Sequence, residues 1–552
     1  MSQSYGYWLR KSRTAAISRR RFVGGAAIAG AGMATLGIVG CGDDDDEQSG
    51  GTPTPGGEDE APQRGGTLRT GTFLDVLGID PHIEVSIGLT TAAQMYTYLG
   101  AFNTRDNEFV PLLADSHEQA SDLEFVFTLN KGFKHQNLPP VNGREVTADD
   151  VLYSLERFRD LPEAQNNSFY KAIVDKMQVI DDHTFKVTTK LPYAESLIEL
   201  GGIQSAIVPH EAVEQFGNLS SRGVGAGPYI LENYVKGERE RLIRNPDYFH
   251  SDLPYLDASE RITILDMSTL LQAYKNDQLD LNGALMNKLD YDGLPSNRVN
   301  YTLPALHYGS LGLNASVKPY SDPRVRQAIY LAVDRKQFVD KLGFGDGFPM
   351  GPLSAGLEYW ALSEDDLAPY IGPDYNKAKE LLSAAGYPNG FTMDVETSGG
   401  VQLYIDHANI MVSELNKVGI KAELKLSELG DYLSNKLFAG NFNATVFTHN
   451  PYETPKIPLG MYHKMGLGGG SWWHYENEAV SKKIDEQANE MDGERRRDLV
   501  KEAQRLILDD YAPMMNFYSP MGYGSHHPRL GGYDPTYRGF QLRRYTEFIK
   551  NT

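Results

Sequence analysis

Cysteine occurs once in these 552 residues, at Cys41, and its thiol is the first group whose setting points to a chemistry. A single cysteine excludes an intramolecular disulfide framework. Cys41 follows Ile38-Val39-Gly40, at the end of an uncharged, Gly/Ala-rich stretch that starts after Ser18-Arg19-Arg20-Arg21-Phe22-Val23. A basic segment, an apolar segment and small residues before a cut compose a signal peptide, and the adjacent Arg19 and Arg20 point to the twin-arginine export route. The stretch is also long enough to act as an uncleaved anchor. Either outcome leaves the bulk of the chain outside the cytoplasm. Catalytic signatures are missing: the sequence has no His-Glu-x-x-His, no Gly-x-Ser-x-Gly and no phosphate loop ending in Gly-Lys-Ser/Thr. A glycosidase needs two carboxylates and leaves no motif, so a secreted hydrolase stays as an alternative. Thirteen histidines, among them His449, His463, His474 and the pair His526-His527, raise metal capture as another. Adjacent histidines on a strand face opposite sides and chelate poorly, which favours scattered histidines with no bound metal or cofactor.

The chain carries 53 Lys and Arg against 73 Asp and Glu, a formal net charge of −20. Residues 1–40 hold six basic residues and no acidic one, so the exported chain is more acidic still. Such a surface repels nucleic acid and anionic headgroups. From Gly42 to about Arg64 the composition turns to Asp43-Asp44-Asp45-Asp46-Glu47 and then to Ser, Gly, Thr and Pro. With almost nothing to bury, residues 41–64 read as an acidic, flexible tether, and their carboxylates as solvated rather than as a calcium loop. Ile38-Val39-Gly40-Cys41 resembles the lipobox of bacterial lipoproteins, which implies that Cys41 is acylated. Two or three acyl chains hold a protein at a membrane where one binds only marginally.

The elements that would position a site begin beyond Gly65. Phe125, Phe127 and Leu129 alternate with polar or smaller neighbours as in a half-buried strand. Thr147 caps a helix whose first turn holds Asp149 and Asp150 and whose inner face is Val151, Leu155 and Phe158. Thr184 to Lys190 reads as a strand. In the second half, Asp322-Pro323 opens a helix with Val325, Ala328, Ile329 and Ala332 inward, and Asp334 caps the next. Asn376 to Ala385 is helical and stops at Gly386; Ile405 to Val418 is helical and stops at Gly419; Ile420, Ala422, Leu424 and Leu426 then alternate as a strand. Two helices, about Glu478 to Met491 and Glu494 to Asp510, precede a Tyr-rich, strand-like tail. Helix and strand in alternation indicate an α/β body.

Several landmarks, in order, resemble the extracytoplasmic solute-binding proteins of family 5, receptors of ABC importers for dipeptides, oligopeptides and nickel. They are Gly65-Gly66-Thr67-Leu68, Pro111 to Ser116, the segment Thr128 to Phe158, Val224-Gly225-Ala226-Gly227-Pro228-Tyr229, Arg244 to Tyr248, Arg324 to Ala328 with Ala332 to Arg335, and Ala378 to Tyr387. Read as physics, Gly225 and Gly227 supply positive-φ or close-packed backbone, and no dinucleotide loop follows because position 230 is Ile. Arg324 and Arg326 are equally suited to solvent and to a buried pairing. The resemblance implies an α/β fold of the periplasmic-binding-protein type II kind with three lobes and a hinge. Lobe Ia is residues 65–83, 203–305 and 516–552, lobe Ib 84–202, and lobe II 306–515. It also implies a monomer, anchored at the outer face of the cytoplasmic membrane or in the periplasm, that works with permease and ATPase subunits.

By the same resemblance, the loop after the strand Ala444 to Phe447 contributes to the ligand site. It reads Thr448-His449-Asn450-Pro451-Tyr452-Glu453-Thr454-Pro455. Dipeptide-binding members typically carry a tryptophan and an aspartate where Thr448 and Pro451 stand, which argues against a strict dipeptide binder. Glu453 is the candidate replacement for the missing acid. Gly468-Gly469-Gly470-Ser471-Trp472-Trp473-His474-Tyr475 falls where the family has a cleft-facing segment, and the paired tryptophans could stack on a ligand or plug the core. His449, Asn450, Tyr452, Glu453, Trp472, Trp473 and His474 are the expected ligand-binding residues. A peptide is the expected ligand, with a sugar, metal or haem as the alternative.

Overall fold

In the computed structural model the described residues are 62–550, apart from 75, 77, 85–86, 104–107, 284–285, 467–470 and 536–546. Arg19, Arg20, Cys41, the tether up to residue 61 and Gly468 to Gly470 lie outside them. The alternation at Phe125, Phe127 and Leu129 becomes the strand Glu124–Leu129, with all three side chains at most 2% exposed. It sits inside a four-stranded antiparallel sheet between Ala114–Ser121 and Thr184–Thr189, with Val174–Asp181 on the far edge. The helix Ala148–Asp160 covers this sheet. Its cap is as the sequence suggests, the Thr147 amide donating to Asp150 at 3.0 Å. Asp150 is itself buried and accepts from both terminal nitrogens of Arg144 at 2.7 and 2.6 Å, which holds its carboxyl well below the usual range despite burial.

A second sheet pairs Thr67–Thr72 in parallel with Ala258–Thr263, followed by Arg239–Arg244 and Tyr229–Val235. One apolar core serves both of these sheets and includes Leu68, Phe127, Leu155, Leu256 and, from the far end of the chain, Leu530. Gly225 and Gly227 owe their place to close approach and not to a positive φ: a Cβ on Gly225 would sit 2.2 Å from the Met95 carbonyl oxygen, and one on Gly227 2.6 Å from that of Gln94.

The second half builds a five-stranded sheet in the order Lys421–Ser427, Thr392–Ser398, Ala444–His449, Tyr308–Leu313, Met514–Asn516. Thr392–Ser398 runs parallel to both neighbours, and Tyr308–Leu313 antiparallel to both of its own. Helices Pro323–Ala332, Tyr375–Ala384 and Gln402–Asn416 cover it, with Val325, Ala328, Ile329, Ala378 and Leu382 fully or almost fully buried. Gly386 and Gly419 stop their helices at φ of 93° and 91°. Arg324 and Arg326 divide the two roles open to them. Arg324 is exposed and ion-paired to Asp322 at 2.7 Å, whereas Arg326 is buried and donates to the carbonyls of Tyr511 and Tyr320. The strand expected from Ile420 to Leu426 forms over Lys421–Ser427, but its buried alternation fades toward the end, where Leu426 is 55% exposed. A further core under this sheet contains Trp360, Tyr462, Trp473, Val500 and Ile507.

The chain passes twice between these bodies. Val299–Pro304, in a small sheet with Tyr518–His526 and Gly347–Pro349, leads through 305–307 into Tyr308–Leu313; Met514–Asn516 leads back through Phe517 into Tyr518–His526. The crossings run side by side. The Ala305 amide donates to Pro520 O at 2.8 Å, and the Phe517 amide to Gly309 O at 2.9 Å. Among the described residues no helix is long and apolar enough to cross a membrane, and no group of three or more His, Cys, Asp or Glu is placed to hold a metal ion.

Candidate ligand-binding site

In an α/β sheet, ligands sit outside the carboxyl ends of the parallel strands. Here those ends are Ser427, Ser398 and His449, and the Tyr308 end of the antiparallel strand meets the last of them because Tyr308 pairs with His449. After Ser398, a Gly399-Gly400 turn leads into the helix Gln402–Asn416, on which Tyr404 is half-buried 6.2 Å from Tyr432. After His449 comes the loop to Lys456.

His449 is held on three sides. Its ring stacks on Tyr308 at 4.3 Å and lies 4.4 Å from Phe447, and Nε2 is 2.9 Å from Ser310 Oγ. The Asn516 amide donates to Gly351 O and Pro352 O, which turns its Oδ1 toward Ser310. The Ser310 hydroxyl donates to that Oδ1 at 2.6 Å, so its oxygen is left to accept and His449 Nε2 carries the proton. Burial at 5% exposure pushes the His449 pKa down to about 3, so the ring is neutral. Asn450 is exposed, and Tyr452 and Glu453 are half-buried. The Tyr452 ring stands edge-on to His449 at 6.2 Å.

The two tryptophans have different surroundings. Trp473 is 0% exposed, stacked on Phe447 at 5.6 Å and tilted against Phe442 at 5.8 Å. It fills the space left by Gly312, where a Cβ would be 2.1 Å from the ring. Trp472 is half-buried, tilted against Phe438 at 5.2 Å. His474 is exposed, with a φ of 50° and Nε2 3.2 Å from Gly440 O. The structure thus gathers His449 and Tyr452 around Tyr308, sets Trp473 in the core beneath, and leaves Trp472 and His474 at a separate rim beside Phe438 and Gly440.

The loop from His449 ends in a seam between the two halves of the chain that the sequence reading missed. Glu195 accepts from Arg496 at 2.7 Å and from Thr454 Oγ1 at 3.2 Å, and both ion-paired side chains are 4% exposed. Four residues on, Glu199 accepts from Lys456 Nζ at 2.8 Å, and that ammonium lies 5.2 Å over the Tyr193 ring. Arg496 also donates to Gln487 and lies 4.9 Å over Trp360. Burial raises the Glu199 carboxyl against the pull of Lys456. Burial alone would lower the Lys456 ammonium, but Glu199 and Tyr193 more than offset it and hold it above its ordinary value. A cavity of about 180 Å³ runs along the seam beside Tyr193, His463 and Ile484. The available signal was local: acids at 195 and 199 are one helical turn apart, which puts both carboxylates on one face.

Residues 108–465 match the family model of bacterial extracellular solute-binding proteins, family 5. Heme-binding protein A of Haemophilus influenzae is 26% identical over 495 residues, covering 83% of this chain and 88% of that protein. Di/tripeptide-binding protein 2 of Pseudomonas aeruginosa is 26% identical over 507 residues, 85% of this chain and 92% of that one. Among solved structures, the ABC transporter-associated periplasmic binding protein DppA of Helicobacter pylori, in complex with the peptide STSA, superposes with a TM-score of 0.69 at 25% identity. The superposition covers 89% of this chain and 99% of DppA. The fold is thus the mixed α/β architecture of type II periplasmic binding proteins. The chain belongs to family 5 of the bacterial extracellular solute-binding proteins and is a binding protein, not an enzyme.

Proposed function

We propose that this chain is the lipid-anchored receptor of an ABC importer, that it encloses a peptide between two lobes, and that it hands the peptide unchanged to a permease driven by separate ATPase subunits. Lobes Ia (65–83, 203–305 and 516–552) and Ib (84–202) move as one body against lobe II (306–515). The observation that carries this reading is the pair of adjacent crossings at 305–307 and 517, together with a second contact seam at Glu195 and Arg496. Bodies joined in this way close around a solute and reopen by a hinge. Twin-arginine export through Arg19 and Arg20 and acylation of Cys41 place the monomer at the outer face of the cytoplasmic membrane or in the periplasm.

Peptide is preferred to haem for a reason of chemistry. His449, the metal-ligating side chain on the loop, is buried, and its Nε2 is committed to Ser310. The loop also carries Asn450, Tyr452 and Glu453, an amide, a phenol and one carboxylate, with Trp472 and His474 at the rim as the other candidates, whereas Trp473 lies in the core. Glu453 receives the ligand's amino terminus. Glu453→Gln then weakens peptide binding by roughly ten- to a hundredfold, the worth of a hydrogen bond to a charged group, as measured by calorimetry. Native mass spectrometry of protein purified without denaturation tests the whole reading. A stoichiometric peptide adduct that leaves with its mass unchanged is the expected result. A haem absorption band, or a product generated from the adduct, overturns it.

A further inference from the structure

We infer that Glu195 and Glu199 form a latch whose bonds to Arg496, Thr454 and Lys456 set how long the protein stays closed, without touching the solute. This inference rests on the hinged reading above and adds a control to it. Every contact of the latch joins residues 193–199 to residues 454–496, across the two bodies. Three further facts support it. First, Glu195 occupies the cap position of the helix Ser196–Leu200 but makes no side-chain cap bond there; its two oxygens serve Arg496 and Thr454 instead. Second, the backbone joins in, because the Ala194 amide donates to Ala488 O at 2.9 Å. Third, Arg496 is enclosed by Trp360, Gln487 and Glu195, so closure removes the Glu195–Arg496 pair from water, where each partner needs the other.

The latch is continuous with the ligand loop. His449 is fixed at one end by Tyr308 and Ser310, and Thr454 and Lys456 are fixed at the other by Glu195 and Glu199. A solute that orders Asn450 to Glu453 therefore also presents Thr454 and Lys456 to their acids. Closure and recognition share one short segment, and the residues at 195 and 199 bias the equilibrium between two arrangements that both ends sense.

The test reads the lobes directly and needs no identified ligand. In the full chain with Cys41→Ser, spin labels at Lys176→Cys and Lys379→Cys report the distance between the bodies by pulsed electron resonance. Glu195→Gln with Glu199→Gln is expected to move the closed-to-open ratio toward open by roughly tenfold for each charge-assisted bond lost, with circular dichroism unchanged. Exchanging charges at the outer pair, Glu199→Lys with Lys456→Glu, restores closure that Glu199→Lys alone abolishes. Two populations in the parent whose ratio the Gln variants leave unaltered would overturn the latch and spare the hinge. One fixed distance in every variant and at every salt concentration would overturn both.

Discussion

Replacing Trp473 by alanine is expected to cost about 3–5 kcal/mol of folding stability, the usual loss for a large buried aromatic. The indole is 0% exposed and packed between Phe447 and Phe442 over the bare backbone of Gly312. No neighbouring side chain can refill that space, because the close approach to Gly312 exists only for want of a Cβ. The adjacent Trp472→Ala removes a half-buried ring packed against Phe438 and is expected to cost about 1 kcal/mol. Urea unfolding of both variants separates them. A Trp473→Ala protein within 1 kcal/mol of the parent would show that the ring is not structural, and the comparison gives each tryptophan its baseline before any ligand is added.

Acid is expected to unfold the protein well before its surface carboxylates titrate. Burial lowers His449 to about 3, His407 to about 4 and His82 to about 4, the last with help from the Arg157 charge. In the unfolded chain each takes up a proton near pH 6.5. The folded state therefore binds fewer protons below that value, so the stability these groups contribute is complete above pH 6.5 and is lost as pH falls toward 4 and then 3. Each such histidine removes about 1.4 kcal/mol per pH unit across that window, and the three together about 4. Asp80 and Asp150, held below the ordinary range by Arg157 and Arg144, extend the loss at lower pH. Urea midpoints at pH 7, 6 and 5 measure the slope. His407→Phe, in a site already lined by Phe338, Phe517 and Tyr518, should reduce the slope by about 1.4 kcal/mol per pH unit. A midpoint that stays flat from pH 7 to 5 would refute this account.

Local order was legible where a single residue type imposes it. The period-two burial of Phe125, Phe127 and Leu129, the Thr147 and Asp322 caps, and the helix stops at Gly386 and Gly419 all rest on interactions within a few positions. Residue type without context was less informative. Gly225 looked the same whether it served a turn or a close approach, and only the Met95 carbonyl, 130 positions away, distinguishes them. Trp472 and Trp473 are identical in type, and which of them meets Gly312 is decided by a strand far upstream. The seam was the least legible feature, since Arg496 and Glu195 stand 301 positions apart and neither end carries a local sign of the other. His449 was read as a ligand-facing side chain, while its burial depends on Tyr308 and Ser310 from another strand.

The first apolar core closes only with the last part of the chain. Leu530 belongs to the same apolar core as Leu68, its strand pairs with Phe548–Ile549, and Gly66 lies against Ile549. A ribosome that has passed Tyr518 has therefore supplied every buried residue of the second-half cores, but the first core still lacks Leu530 and the strand Phe548–Ile549 that pairs beside it. During that interval the unsealed apolar faces are open to neighbouring chains. Truncation from the carboxyl end should accordingly damage the amino-terminal portion first, an order opposite to the one that position along the polypeptide suggests.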